Sequence, residues 1–249
     1  MKWIGYVLSS LWRLWFLVVF TCMFFMFLPF LFYFTVIDKN QRAVCHIARY
    51  WSKGTIWFSF IFPLVEYEQK FDKEKTYIFC ANHVSALDIP LILSVINAPI
   101  QYIGKAEISK IPLFGFFFKK NSVVVNRKNK RDSYDAFLNA KKRLDCGINM
   151  CIFPEGGIPN PNIFLKNFKN GPFRLAVEQE VSIIPISLPD NKKLFPQEYF
   201  KGYPGFVKIK VHSAINPKNF NNSFQEIKEI TYNTIFAQLK KHEKKNKSK

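Results

Sequence analysis

The longest feature of the hydropathy pattern is an uncharged run, Leu14–Ile37, reading LWFLVVFTCMFFMFLPFLFYFTVI. It holds 24 residues, and a helix needs about 20 apolar residues to cross a bilayer core. Trp12, Trp15 and Tyr33 fall near its ends, where amphipathic rings suit the water–lipid boundary. Pro29 removes a backbone donor and favours a bend. The pattern therefore predicts a membrane-anchoring helical region, either one crossing or a kinked hairpin dipping into one leaflet. A cleaved signal sequence has a shorter apolar region and a small-residue cleavage site, and neither is found here. A second apolar stretch, Thr55–Val65, is too short to span and predicts an interfacial helix or part of the core.

Past the charged turn EQKFDKEK the pattern changes to short β-branched or aromatic runs alternating with helical periodicity. Strands are expected at Thr76–Cys80, Pro99–Ile103, Ser122–Val125, Met150–Phe153, Ile183–Ser187 and Phe206–Val211. Helices are expected around Asp88–Ile96, Phe114–Lys119, Arg131–Leu144 and Phe173–Glu180. A last one, Phe224–Leu239, has Ser223 and Glu226 placed as a capping box. Strand–helix alternation predicts an α/β fold with a mostly parallel central sheet flanked by helices. Three segments are expected: a membrane-anchoring helical region (1–65), a catalytic domain (66–240) and a basic, disordered tail (241–249).

The chain has 249 residues and a formal charge of +18. Its last ten residues carry six Lys and one Glu, so the remainder still holds +13. Such a surplus suits nucleic acid, an anionic bilayer surface or a phosphorylated substrate. No helix-turn-helix, RNA-binding sheet motif or zinc-finger spacing is found, which argues against nucleic acid. The greater density of Lys and Arg after the apolar run favours a body on the cytoplasmic side of the inner membrane. The five cysteines are scattered, with no C-x-x-C pair, and predict reduced thiols and no metal site.

Chemistry concentrates in FCANHVSALDIP, Phe79–Pro90. His83 follows an expected strand and Asp88 opens the next helix, so a turn between them can bring the carboxylate onto one ring nitrogen. That contact fixes the tautomer and raises the basicity of the other nitrogen, as a general base requires. Further basic or glycine-rich elements fall where strands end or helices begin. They are Lys105, Arg127, Glu155-Gly156-Gly157, and Lys169 with Arg174. The amides of Gly156 and Gly157 could approach an oxyanion or phosphate unhindered by a Cβ. Arg127 could hold a phosphate bidentately. His46, His212 and His242 have no comparable setting and read as structural or exposed. No serine or cysteine stands at a nucleophile elbow, which disfavours an acyl-enzyme.

The stretches NHVSALD, KAEISKIPLFG with a downstream VNR, FPEGG, FKNGPFRLA and IIPIS occur in that order across roughly residues 70–189. Together they resemble the glycerophospholipid acyltransferase family, in particular its bacterial 1-acyl-sn-glycerol-3-phosphate acyltransferases. The resemblance implies a glycerol-3-phosphate acyltransferase-like fold. It implies that His83 is the general base, Asp88 its orienting partner, and that the acceptor hydroxyl attacks the thioester of acyl-CoA or acyl-carrier protein directly. It makes Arg127 and Lys105 ligands of the acceptor phosphate, with Glu155 and Gly156 in the acceptor-binding element. No cofactor or metal is implied. The partners implied are the donor and a membrane lipid, lysophosphatidate in an anionic bilayer surface. The family's third motif usually continues Glu-Gly-Thr-Arg-Ser, whereas this chain reads Glu155-Gly156-Gly157-Ile158-Pro159. The phosphate would then depend on Arg127, Lys105 and Arg174, or the acceptor is another lysophospholipid or a lyso-aminolipid. A non-enzymatic basic membrane-surface protein is the rival from another class.

Overall fold

The computed structural model describes residues 2–126 and 129–247. Arg127, expected at a phosphate, lies outside the described residues. Among the described residues, seven strands form one sheet in the order β1-β7-β6-β2-β5-β3-β4. They are β1 (Ile61–Tyr67), β2 (Tyr77–Ala81), β3 (Ile100–Lys105), β4 (Val123–Val125), β5 (Asn149–Ile152), β6 (Ser182–Ser187) and β7 (Gly205–Val211). Strands β2 to β6 run parallel, β7 pairs antiparallel with β6, and β1 runs parallel to β7. The sheet is mostly parallel, as the alternation predicts.

Eight α-helices accompany it among the described residues: α1 (Lys2–Phe32), α2 (Gln41–Phe58), α3 (Asp88–Val95), α4 (Phe114–Asn121), α5 (Lys130–Asp145), α6 (Gly171–Glu178), α7 (Asn191–Leu194) and α8 (Phe224–Lys247). The two-residue period of the strands sorts the core into two layers. Tyr77, Phe79 and Ala81 of β2 pack with Leu91 of α3, Ile56 of α2 and Trp12 of α1. Ile78 and Cys80 point the other way, against α5, α6 and α8 through Ala140, Phe173 and Ile235. Every residue of β2 is buried, which is why its sequence is apolar without alternation. Ile78 and Phe79 are wholly buried, and each contributes about 1.5–3 kcal/mol by leaving water.

The stretch Thr55–Val65 divides rather than forming one element. Its first residues end α2, Phe60 adopts a left-handed φ of 59°, and the chain enters β1. Pro63 cannot donate to a ladder, and the edge position of β1 tolerates it. Strand β1 thus crosses the expected boundary at residue 65. The basic end also differs from expectation: α8 continues as helix to Lys247, pinned by the contact of His242 Nε2 with Asp190 at 2.6 Å.

Helix α1 does not stand apart from the body. Trp12 Nε1 donates to the Ser59 carbonyl at 3.0 Å and Trp15 Nε1 to that of Phe58 at 2.8 Å. Buried Arg13 donates to the carbonyls of Lys201 and Pro196 and lies 4.2 Å over the Phe195 ring. Further along, Trp51 Nε1 donates to the Phe20 carbonyl, and Asn121 donates to Thr35 Oγ1 at 3.1 Å.

Candidate active site

The carboxyl ends of β2, β5 and β3 form one rim, and His83 leaves it directly after β2. Asp88 opens α3 four residues beyond the turn's start, and its Oδ2 sits 2.8 Å from His83 Nδ1. The same oxygen accepts the backbone N–H groups of Val84 (2.8 Å) and Ser85 (2.9 Å). Asp88 Oδ1 accepts from Asn191 Nδ2 at 2.6 Å. Asp88 is wholly buried, and four donors converge on it, which suits an acceptor-only group. Nδ1 therefore carries the proton, and Nε2 is left as the acceptor. Nε2 has no hydrogen-bond partner among the described residues, and the side chain remains 13% exposed. The ring lies flat on Phe153, with centroids 3.9 Å apart, so packing fixes its plane as the carboxylate fixes its tautomer.

Glu155 has a different place from the acceptor-facing one expected. It is wholly buried, its Oε1 accepts the His83 N–H at 2.7 Å, and its Oε2 accepts that of Lys166 at 3.0 Å. Burial raises its carboxyl above the ordinary value, opposed by the two amides. With both oxygens engaged, it ties the loops after β2 and β5 together and sets the height of His83.

Gly156 takes a left-handed φ of 78°, and a Cβ there would stand 2.5 Å from Lys169 Cε. The Lys169 ammonium therefore rests against the Gly156 backbone, which brings a basic group to the third motif. Gly157 follows at φ 146°. Lys105 ends β3 on the same rim and pairs with Glu107 at 3.2 Å, both exposed. Two strand spacings separate it from β2, roughly 10 Å. Arg174 is not brought to the rim. Its neighbours Phe173 and Leu175 face the core, which turns Arg174 outward to lie 4.8 Å over the Phe224 ring at the start of α8.

Sequence reasoning did not place Asn191, which lies 103 residues from Asp88. It did not find Phe153 either, although its position just before Pro154-Glu155 was a usable signal. Lys169 was noted only as part of its motif. Another histidine makes a triad-like relay: His212 Nε2 meets Ser187 Oγ at 2.9 Å and Nδ1 meets Glu68 at 3.0 Å. Ser187 is wholly buried at the β6–β7 pairing, so no acyl donor can reach its oxygen.

A family model described as Acyltransferase matches residues 63–189, half of the chain. A 1-acyl-sn-glycerol-3-phosphate acyltransferase of Chlamydomonas reinhardtii is 27% identical over 183 residues, covering 72% of this chain and 54% of its own. A lyso-ornithine lipid O-acyltransferase of Pseudomonas aeruginosa is 32% identical over 111 residues, 45% of this chain and 42% of its own. The chain spans about half the length of the first of the curated relatives it matches. The crystal structure of the 1-acyl-sn-glycerophosphate acyltransferase PlsC of Thermotoga maritima superposes with a TM-score of 0.80, at 25% identity and 98% coverage of both chains. With the matched span running from β1 to just past β6 and enclosing His83, Asp88 and Glu155, this chain belongs to the Acyltransferase family.

Proposed function

We infer that the protein transfers an acyl chain from a thioester, acyl-CoA or acyl-carrier protein, to the sn-2 hydroxyl of 1-acyl-sn-glycerol-3-phosphate, yielding phosphatidate. The observation that carries this reading is the His83–Asp88 contact on an open rim, with Nε2 unengaged. Nε2 takes the hydroxyl proton as the alkoxide oxygen bonds to the thioester carbon. The tetrahedral adduct collapses with loss of the thiolate, which recovers the proton from the imidazolium. Asp88 stabilises that cation and holds the ring. No covalent acyl-enzyme and no cofactor take part. Lys169, Lys105 and Arg127 are the cations offered to the acceptor phosphate, while Glu155 positions His83 through its backbone. The names of the full-length similar structure and of the plant and algal relatives support this acceptor.

A second reading keeps the chemistry and changes the acceptor to another lysophospholipid or a lyso-aminolipid. The absent Thr-Arg after Gly156 favours it, and a lyso-ornithine lipid enzyme is among the relatives. Competition between lysophosphatidate and lyso-ornithine lipid in one assay separates the two. For either acceptor, His83→Ala should lower turnover about 10²–10⁴-fold. Nearly full turnover in that variant overturns the mechanism.

The membrane reading is an in-plane one. Helix α1 and the helical turn that continues it keep contact with the body from Ser9 to Thr35, about 40 Å at about 1.5 Å per residue. A crossing through a hydrocarbon core of about 30 Å would draw the attached body in with it. Its outward stripe, including Val7, Leu11, Leu14, Val18 and Phe25, is exposed and apolar. This helix therefore lies along one leaflet, with the catalytic rim beside its first half and the body on the cytoplasmic side.

A further inference from the structure

A cavity of ≈ 390 Å³ opens where α1 turns into α2, beside the end of α4. It lies at the edge of the sheet opposite His83. Asn121 precedes the amino end of β4, and Gln41 accepts from Gln101 at the amino end of β3. The lining joins apolar Phe34, Val36 and Phe116 to the cations Lys39 and Lys120.

Backbone geometry builds this corner. The chain widens into a π-turn over Tyr33–Ile37, a form often found at functional positions. Lys39 then takes a left-handed φ of 54°, and Asn40 caps α2 by accepting the Ala43 N–H at 3.0 Å. Asn121 welds the end of α4 to the π-turn by donating to Thr35 Oγ1 at 3.1 Å and to the Phe117 carbonyl at 3.0 Å. The two lysines thus line one cavity. Neither has a carboxylate partner among the described residues. The Arg143 guanidinium, donating to the Lys120 carbonyl at 3.3 Å, adds positive charge nearby.

Phe30 near the end of α1, and Tyr33 and Ile37 in the π-turn that supplies part of the lining, are exposed and apolar as well. A ligand suited to this place has an anionic head for the two ammonium groups and hydrocarbon for the rings. We propose that the cavity binds the phosphate headgroup of an anionic glycerophospholipid in the leaflet on which α1 rests, with its chains along Phe34 and Phe116. The inference rests on the in-plane reading of α1. The occupant is a resident membrane lipid and not the reacting acceptor, because the thickness of the sheet's strands separates the cavity from His83. Docking there would fix one end of the hairpin and so hold the catalytic rim level with the bilayer surface.

The test uses the full chain and flotation with phosphatidylcholine vesicles, with and without phosphatidylglycerol. The wild type should prefer the anionic vesicles. The variant Lys39→Gln/Lys120→Gln should lose about 30-fold of that preference, about 5-fold for each lysine, and keep its binding to neutral vesicles. Both lysines are exposed, so the core is untouched. A control, Lys241→Gln/Lys244→Gln, removes the same formal charge from α8 on the other face of the sheet and should keep the preference. If control and test variants behave alike, diffuse charge is responsible and the site is refuted. Displacement by inorganic phosphate at matched ionic strength would overturn the lipid assignment and leave a plain anion site. Failure of the wild type to bind neutral vesicles is a different result, and it would overturn the in-plane reading underneath.

Discussion

Replacing Asp88 by Asn tests whether the carboxylate acts through the tautomer of His83, and the local geometry makes the outcome specific. In the wild type Oδ2 accepts from His83 Nδ1, Val84 N and Ser85 N, while Oδ1 accepts from Asn191 Nδ2. An amide has one accepting and one donating end, so each orientation fails somewhere. With its oxygen toward His83, its NH₂ needs the Asn191 amide to turn its unpartnered Oδ1 inward, and the Asn191 NH₂ then loses the acceptor it held at 2.6 Å. With its NH₂ toward His83, it opposes two backbone donors and forces the proton onto Nε2, which can then no longer act as a base. Leaving a buried donor unmatched costs about 1–3 kcal/mol. Loss of the base should lower kcat about 10²–10⁴-fold. The assay is thiol release from acyl-CoA with lysophosphatidate, run beside a thermal melt. The swap Asp88→Asn/Asn191→Asp restores donor–acceptor matching at that contact and points the amide oxygen back at His83. It should recover at least about 10-fold of the lost rate, although the negative charge now stands one residue removed from the ring. Activity of the single variant within about 3-fold of wild type would refute the tautomer argument, since that lies far below general-base magnitudes. Full loss persisting in a well-folded swap would show that the charge at residue 88, not the tautomer, is what matters.

Other outcomes follow from the same geometry. Gly156→Ala forces an alanine into a left-handed conformation and pushes against Lys169; it should cost about 1–2 kcal/mol in denaturant melts and raise KM for the acceptor more than it lowers kcat. Arg13→Leu strips the donors from two carbonyls of the 196–201 segment and should destabilise the protein by about 3 kcal/mol, measured in detergent. Burial holds the His212 imidazole below its ordinary 6.5, so its stabilising contribution is present above that pH and is lost as the pH falls through the lowered folded value. Melts of His212→Asn across that acid range should therefore show a flatter decline than the wild type, and an unchanged slope would contradict the assignment.

The readable parts of this chain were those with a local cause. The run Tyr77–Ala81 declares a buried strand because both of its faces are apolar, and the turn and helix start that follow put His83 and Asp88 on one side of a short loop. Thr55–Val65 was not readable, because a short aromatic run suits helix and strand equally. Only the vacant edge beside β7 selects the strand, and β7 lies more than a hundred residues later. Lys169 and Arg174 stand in one motif, and the sequence alone points to Arg174 for the phosphate. The helical phase of α6 sends Arg174 to Phe224, while the loop before it returns Lys169 to Gly156.

By itself, then, the sequence determined the alternation of strands and helices, the long apolar helical run at the start, and the pairing of a histidine with an aspartate five residues on. These depend on periodicity and on contacts between near neighbours. Tertiary structure alone decided that Asn191 completes the shell of Asp88, that Glu155 is a buried brace, and that α1 and the turn after it are fastened along the body from Ser9 to Thr35. Each of those is a contact between segments far apart in the chain. Such contacts are fixed by how two layers pack on a common sheet, and no local pattern of residues encodes them.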